Sequence, residues 1–426
     1  MLIEFRAENH RSLREEQALS MAAGLVPQPD DERPRMVEGY SEPLLPAAAI
    51  YGANASGKSN VLAAFGFMRS AVLNSQRYWG PDDGVPRDPF AWQLTDAQSS
   101  TFEATFLTGG TRYEYGFAAD SQRIVEEWLF AWPNGKKQTW FERDDTEFTF
   151  GSSLRGENKV IQEITRCNAL FLSAAVQLKH EQLRPVYEWF LNVQMYPYVS
   201  MRAGGYEIVR RPHRLIVNNL DPSHKSDQRP SSPDSLIALQ FLEMLRNADV
   251  GIDGLRLDPV QNSDGPRSSF RGYQLKHSST LGDEWFALEE ESRGTRRLFD
   301  LAVPVLESLR QGSLLIVDEL EASLHPSLAQ AIIEMFNCPR RNKHNAQLIF
   351  TTHDTNLLGT TLGAPVLRRD QVWLTEKKPD GSSELYPLTD FKPRKAENIE
   401  RGYLQGRYGA IPFLGRFAQA TEESSQ

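Results

Sequence analysis

Residues 46–60 read PAAAIYGANASGKSN: a short apolar run, a loop of small residues, and one lysine heading a segment in which Val61, Leu62, Phe65 and Met68 recur at helical spacing. Inside it Gly52, Gly57, Lys58 and Ser59 fit the pattern G-x-x-x-x-G-K-S. A strand that passes through such a loop into a helix predicts a phosphate cradle. Backbone N–H groups between Gly52 and Asn60, Asn54 among them, wrap the phosphates at the helix N-terminus. Lys58 sets a point charge on the β- and γ-oxygens, and the Ser59 hydroxyl ligates Mg²⁺. The competing reading is a serine-rich turn. With glycine near 7% of residues, a chance match in a chain of this length is on the order of one in a hundred, which disfavours the turn.

A second stretch, LLIVDE (314–319), is an unbroken apolar run ending in two carboxylates. A fully buried parallel strand delivers acids in this way to the carboxyl edge of a sheet, where open α/β sheets bind ligands. Asp318 is expected to hold Mg²⁺ through water and Glu319 to polarise the attacking water. LIFTTH (348–353) ends in the same manner at His353, placed to contact a γ-phosphate, although a lone histidine is more often structural. In ESRGTRRLFDL (291–301), Ser292, Gly294 and Thr295 stand ahead of a helix whose apolar face is Leu298, Leu301, Ala302, Val305 and Leu309. That is either a second anion site or an ordinary N-capped helix.

Around these motifs the chain divides in four. Residues 1–75 hold two strands, a Pro-containing loop and the phosphate loop. Residues 76–285 carry an antiparallel lobe, with a hairpin over 101–117 and strands near 128–132 and 137–142, then helices over about 158–192 broken by LFLSAA and Pro185, and a helix at 233–247. Residues 286–390 return to the parallel α/β texture, and 391–426 form a tail. The aromatic run Trp128, Phe130, Trp132, Trp140 and Phe141 reads as lobe core. The polar stretch 218–235 reads as a loop.

Composition narrows the classes. No apolar run approaches the roughly 18 residues a membrane span needs, and the opening residues lack an export-signal layout, so a cytoplasmic protein is expected. Two cysteines, Cys167 and Cys338, support neither a disulfide framework nor a zinc site. A net charge of −9 argues against a globally basic nucleic-acid binder. The cluster Arg202, Arg210, Arg211, His213 and Arg214 beside Tyr206 is a solvated strand face or, less expected, a nucleic-acid grip. The tail's Lys392, Arg394, Lys395, Arg401 and Arg407 fit docking on the head, a neighbouring protomer or an effector.

Taken together, the motifs resemble the ABC-class ATPases of the SMC/RecF/OLD type: a P-loop NTPase, α/β in class, with an ABC-type head, an antiparallel β lobe and a largely α-helical insertion. The resemblance implies ATP and Mg²⁺ as ligands, with GTP the other nucleotide such a loop accepts. It also implies that Ser292, Gly294 and Thr295 form a signature motif completing the ATP site of the opposite protomer. DELEASLHP is similar to the Walker B and D-loop of that group, with Glu319 as catalytic base and Ser323 to Pro326 at the dimer seam, and TTHD is similar to its histidine switch. The opening FRAENHRSL puts Arg11 and Ser12 near the nucleotide base. In LFLSAAVQL, Gln177 is the Q-loop candidate for the metal, the rival reading being a helix-surface glutamine.

More narrowly, ENHRSLREE, GANASGKSN, LFLSAA, DELEASLHP and KAENIERGYLQGRYGAIP resemble the stand-alone AAA-type ATP/GTP phosphatases of bacterial abortive-infection and restriction-linked systems. That likeness implies a homodimer or larger homo-oligomer in phage defence, acting beside a separately encoded effector, a TOPRIM-type nuclease being one form. Heptad arms, a Cys-x-x-Cys hook and a fused TOPRIM domain are absent from the sequence. The rival readings are a RecF-like clamp that binds DNA directly, and a toxin acting through its own insertion.

Overall fold

The computed structural model describes residues 1–24, 31–92, 98–197, 233–248, 251–257, 272–360, 363–392 and 397–412. Strands β1 (Leu2–Glu8) and β2 (Gln17–Ser20) precede β3 (Ala47–Gly52), which runs through the quoted loop into α1 (Lys58–Tyr78). Five antiparallel strands follow: β4 (Ser100–Thr108), β5 (Thr111–Ala119), β6 (Ile124–Trp132), β7 (Gln138–Asp144) and β8 (Glu147–Phe150). They join the N-terminal pair in a seven-stranded sheet of order β2-β1-β4-β5-β6-β7-β8. The antiparallel sheet therefore draws two strands from before the phosphate loop.

Helices α2 (Asn158–Ile164), α3 (Phe171–Gln177) and α4 (Arg184–Asn192) lead to the short β9 (Gln194–Tyr196). The expectation that LFLSAA breaks the helical stretch is corrected: these residues build α3. Its first N–H groups are received by a buried carboxylate from β6, with Phe171 N donating to Glu127 Oε2 at 2.6 Å and Leu172 N to Glu127 Oε1 at 3.1 Å. Pro185 likewise sits in the first turn of α4, where a missing N–H costs nothing. After α5 (Pro233–Ala248) comes a three-stranded sheet of β10 (Ile252–Leu257), β11 (Tyr273–Ser279) and β12 (Gly282–Ala287). The basic cluster at 202–214 and most of the polar stretch 218–235 lie outside the described residues.

The α/β part then completes itself with α6 (Arg293–Gln311), β13 (Leu314–Val317), α7 (Pro326–Asn337), β14 (Gln347–Thr351), β15 (Val372–Lys377), β16 (Ser383–Pro387) and α8 (Ile399–Leu404). The central sheet has the order β16-β15-β3-β14-β13-β9, all neighbours parallel except the edge hairpin β15–β16. Both its faces are covered, which is why its strands read as unbroken apolar runs. Alternate residues serve separate cores. Ala48, Ile50, Leu314, Ile316 and Ile349 face α1 and the antiparallel sheet, whereas Ala49, Tyr51, Leu315, Val317 and Phe350 face α6 and α7. Among the described residues no helix is long and apolar enough to cross a membrane.

Candidate nucleotide site at the carboxyl edge of the parallel sheet

The carboxyl ends of β3, β13 and β14 lie side by side, so the three polar strand ends read in the sequence converge. At the head of α1, Gly57 has φ of +111°, and a Cβ there would run into the Ser383 side chain; at Gly52, the end of β3, it would collide with Thr375 Oγ1 and Ser56 Oγ. The loop is thus packed on its outer side against the β15–β16 hairpin. Helix α1 starts with no side-chain cap, leaving its first-turn N–H groups for an anion. Lys58 is buried, with Nζ donating to Gly52 O at 2.8 Å and Ala53 O at 2.9 Å. Burial pushes its pKa down, and Asp318, Glu319 and Glu321 pull it back up. Asn54 is exposed on the loop.

Asp318 is the meeting point of the strand ends. Its N–H donates to Tyr196 O at 2.8 Å, and its Oδ1 accepts from Ser59 Oγ at 3.0 Å and Thr351 Oγ1 at 2.5 Å. Glu319 has φ of +51°, its N–H donates to Thr351 Oγ1 at 2.7 Å, and its side chain is exposed. The His353 N–H donates to Glu321 Oε1 at 2.6 Å. Desolvation, and after it the Lys58 ammonium, hold the His353 imidazole below its ordinary pKa. Lys58, Ser59, Asp318, Glu319 and His353 therefore form one constellation. Among the described residues no cluster of three or more His, Cys, Asp or Glu side chains could hold a metal alone. A hydroxyl and a carboxylate 3.0 Å apart fit an ion that takes its remaining ligands from phosphate oxygens and water.

The other predicted residues fall in three places. Ser12 is buried against the loop: Asn60 Nδ2 donates to its Oγ at 2.6 Å and Ser383 Oγ at 2.8 Å. Arg11 is next to it but pairs with Asp88 at 3.2 Å. Ser292 caps α6, accepting from Thr295 N at 3.0 Å, and a Cβ on Gly294 would lie 2.9 Å from Ser323 O, so signature and D-loop candidates touch within one protomer. Gln177 is not brought to the site. It ends α3, exposed, and α3 packs on the far end of α1, where Gln76 N donates to Ser173 Oγ at 3.3 Å. At 1.5 Å per residue that end stands roughly 27 Å from Lys58. The apolar LFLSAA is buried there, which corrects the metal-ligand reading.

Sequence reasoning missed Thr351, Glu321, Tyr196 and Arg297. The first two were visible within the quoted motifs, at a strand end and beside the acidic pair. Arg297, whose Nη2 donates to Asp318 O at 3.0 Å and Glu319 O at 2.7 Å, carried no signal.

Residues 47–359 match the family described as "AAA domain, putative AbiEii toxin, Type IV TA system". The chain belongs to this family. Its fold is α/β, with the G-x-x-x-x-G-K-S loop between β3 of a mostly parallel sheet and α1. No curated protein sequence matches it. Among solved structures it is similar to an SMC head bound to the C-winged helix domain of ScpA, with 14% identity, 90% of this chain and 96% of that one covered, and a TM-score of 0.44. The SMC head domain of Thermotoga maritima has 13% identity, coverage of 91% and 98%, and a TM-score of 0.39. The SMC head with a coiled coil and joint from Pyrococcus yayanosii has 10% identity, coverage of 95% and 99%, and a TM-score of 0.40.

Proposed function

We propose that this AAA-family chain hydrolyses MgATP at the described site and works as a two-protomer switch, its ATP-bound form controlling a separately encoded effector in defence against phage. The observation that carries the reading is the convergence of Ser59, Asp318 and Thr351 within 3.0 Å beside an uncapped helix N-terminus and the buried Lys58. Ser59 and Asp318 would hold Mg²⁺, which supplies charge neutralisation of the phosphates. Lys58 has two N–H groups on loop carbonyls, and its third is available to a phosphate oxygen. Glu319 removes a proton from the water whose oxygen bonds to the γ-phosphorus as the bond to the bridging oxygen breaks, leaving ADP and phosphate. His353, its pKa lowered, stays neutral and donates one N–H to the γ-phosphate. Ser292 and Thr295 offer a hydroxyl pair at the head of α6 to the partner protomer's nucleotide, and the exposed Ser323, which opens the D-loop candidate, lies beside them.

Lys58→Ala is expected to lose MgATP affinity, measured with a fluorescent ATP analogue. Glu319→Gln is expected to keep affinity and lower turnover about 10²-fold or more. Undiminished binding in the first or undiminished turnover in the second overturns the assignment. Toxicity on expression of the chain alone favours the toxin reading, and toxicity only with a neighbouring gene supports the switch.

A further inference from the structure

Arg297 has no part in the phosphate chemistry above, yet it bridges two of the elements involved. It lies two residues past Thr295, and its Nη2 donates to the carbonyls of both Asp318, at 3.0 Å, and Glu319, at 2.7 Å. The guanidinium carbon stands 4.5 Å from the centroid of the Tyr196 ring. Tyr196 in turn accepts the Asp318 N–H at 2.8 Å through its carbonyl and donates its hydroxyl to Asp300 Oδ2 at 3.3 Å, one turn farther along α6. One cation therefore joins the first turns of α6 to the ends of β9 and β13.

The join falls where it has most leverage. Glu319 is a non-glycine residue at φ +51°, a conformation that persists only where neighbours over-determine it. Its N–H is held by Thr351 Oγ1 and its C=O by Arg297. The first of these belongs to the same central sheet, and the second comes from the helix headed by Ser292.

We infer that Arg297 is a positioning residue which ties the pose of Glu319 to the position of α6, so that the catalytic carboxylate responds to what the α6 N-terminus touches. The inference rests on the proposed function: if Ser292 and Thr295 meet the partner's nucleotide, α6 shifts, and a planar fork bonded to two consecutive carbonyls passes the shift to Glu319. Misplacement of about an ångström is enough to cost a general base much of its rate. The site is then competent only when the opposite protomer is loaded.

The test uses the full chain. Arg297→Lys keeps the charge and most of the stem but loses the planar fork, and Arg297→Ala loses both. ATP-analogue affinity is expected within about twofold of wild type, with kcat lower by about tenfold in Arg297→Lys and about a hundredfold in Arg297→Ala. The Hill coefficient for ATP should fall toward 1. Tyr196→Leu removes the platform and leaves the arginine, and it should lower kcat in the same direction even if Arg297→Ala fails to fold. Wild-type kcat in these variants, or affinity falling in parallel with kcat as general loss of structure would produce, overturns the inference alone. A wild-type chain that neither binds nor hydrolyses ATP overturns the proposed function, and the inference with it.

Discussion

Thr351 Oγ1 gives its proton to Asp318 Oδ1 and accepts the Glu319 N–H, so one hydroxyl orients both acids. Thr351→Val keeps the shape and removes both bonds. The Mg²⁺ concentration for half-maximal turnover should rise about 10- to 100-fold, as for other residues that orient a metal ligand. An unchanged Mg²⁺ titration would refute that. His10 makes the opposite case. It is fully buried between Phe67 and Phe102, neither ring nitrogen has a partner among the described residues, and burial pushes its pKa down to about 3. Between pH 3 and 6.5 the unfolded chain binds the proton and the folded chain does not. Its contribution is therefore complete above pH 6.5 and is lost progressively as pH falls toward 3. His10→Phe should flatten the decline of unfolding free energy in that window, and identical slopes for the two proteins would count against the assignment. Neither residue was legible beforehand in this role. Thr351 stood inside a motif read for its histidine, and a buried histidine without partners leaves no pattern in a sequence.

At the scale of elements, the sequence spoke clearly wherever one face was buried on a regular period. β3, β13 and β14 were readable because a sheet covered on both faces demands unbroken apolar runs, and α6 because its apolar stripe packs on that sheet. The misread element was α3. Its apolar composition looked like a break because what starts the helix lies 44 residues upstream, in Glu127. That carboxylate accepts from Phe171 N, Leu172 N and the Tyr115 hydroxyl at 2.9 Å, with Arg143 at 3.9 Å, all of it buried. Burial raises the Glu127 pKa, and Arg143 and the helix N–H groups oppose the rise. Glu127→Ala would strand two N–H groups and a buried guanidinium, so denaturant unfolding should show a loss of about 3–5 kcal/mol. A loss below about 1 kcal/mol, the usual size of a surface change, would mean the network is dispensable.

For the molecule as a whole, the motif order marked out the parallel α/β part, but the contacts that frame the loop were hidden by distance along the chain. Ser12, Asn60 and Ser383 meet at hydrogen-bond range although 371 residues separate the outer two. No spacing rule reaches that far. In the same way Arg297 becomes meaningful only once α6 is laid beside β13. The proposed two-protomer state has a direct readout: Glu319→Gln with MgATP should give a particle of twice the protomer mass, and Ser292→Arg, which obstructs the head of α6 without touching the phosphate loop, should keep it single. A single mass for both, at concentrations well above the ATP affinity, would rule out the sandwich.

The strand order has a further consequence, for the making of the protein. Among the described residues β3, which leads into the glycine-lysine loop, pairs with β14 and β15, whose registers set Ala48 against Ile349 and Ile50 against Trp373. During synthesis both arrive some three hundred residues after the loop itself, roughly 15–65 s later at 5–20 residues per second. Until then the apolar AAAIYG lacks both of the strands that flank it in the folded sheet. A chain that ends before β14 carries the complete glycine-lysine motif without either of the strands that flank β3 in the folded sheet.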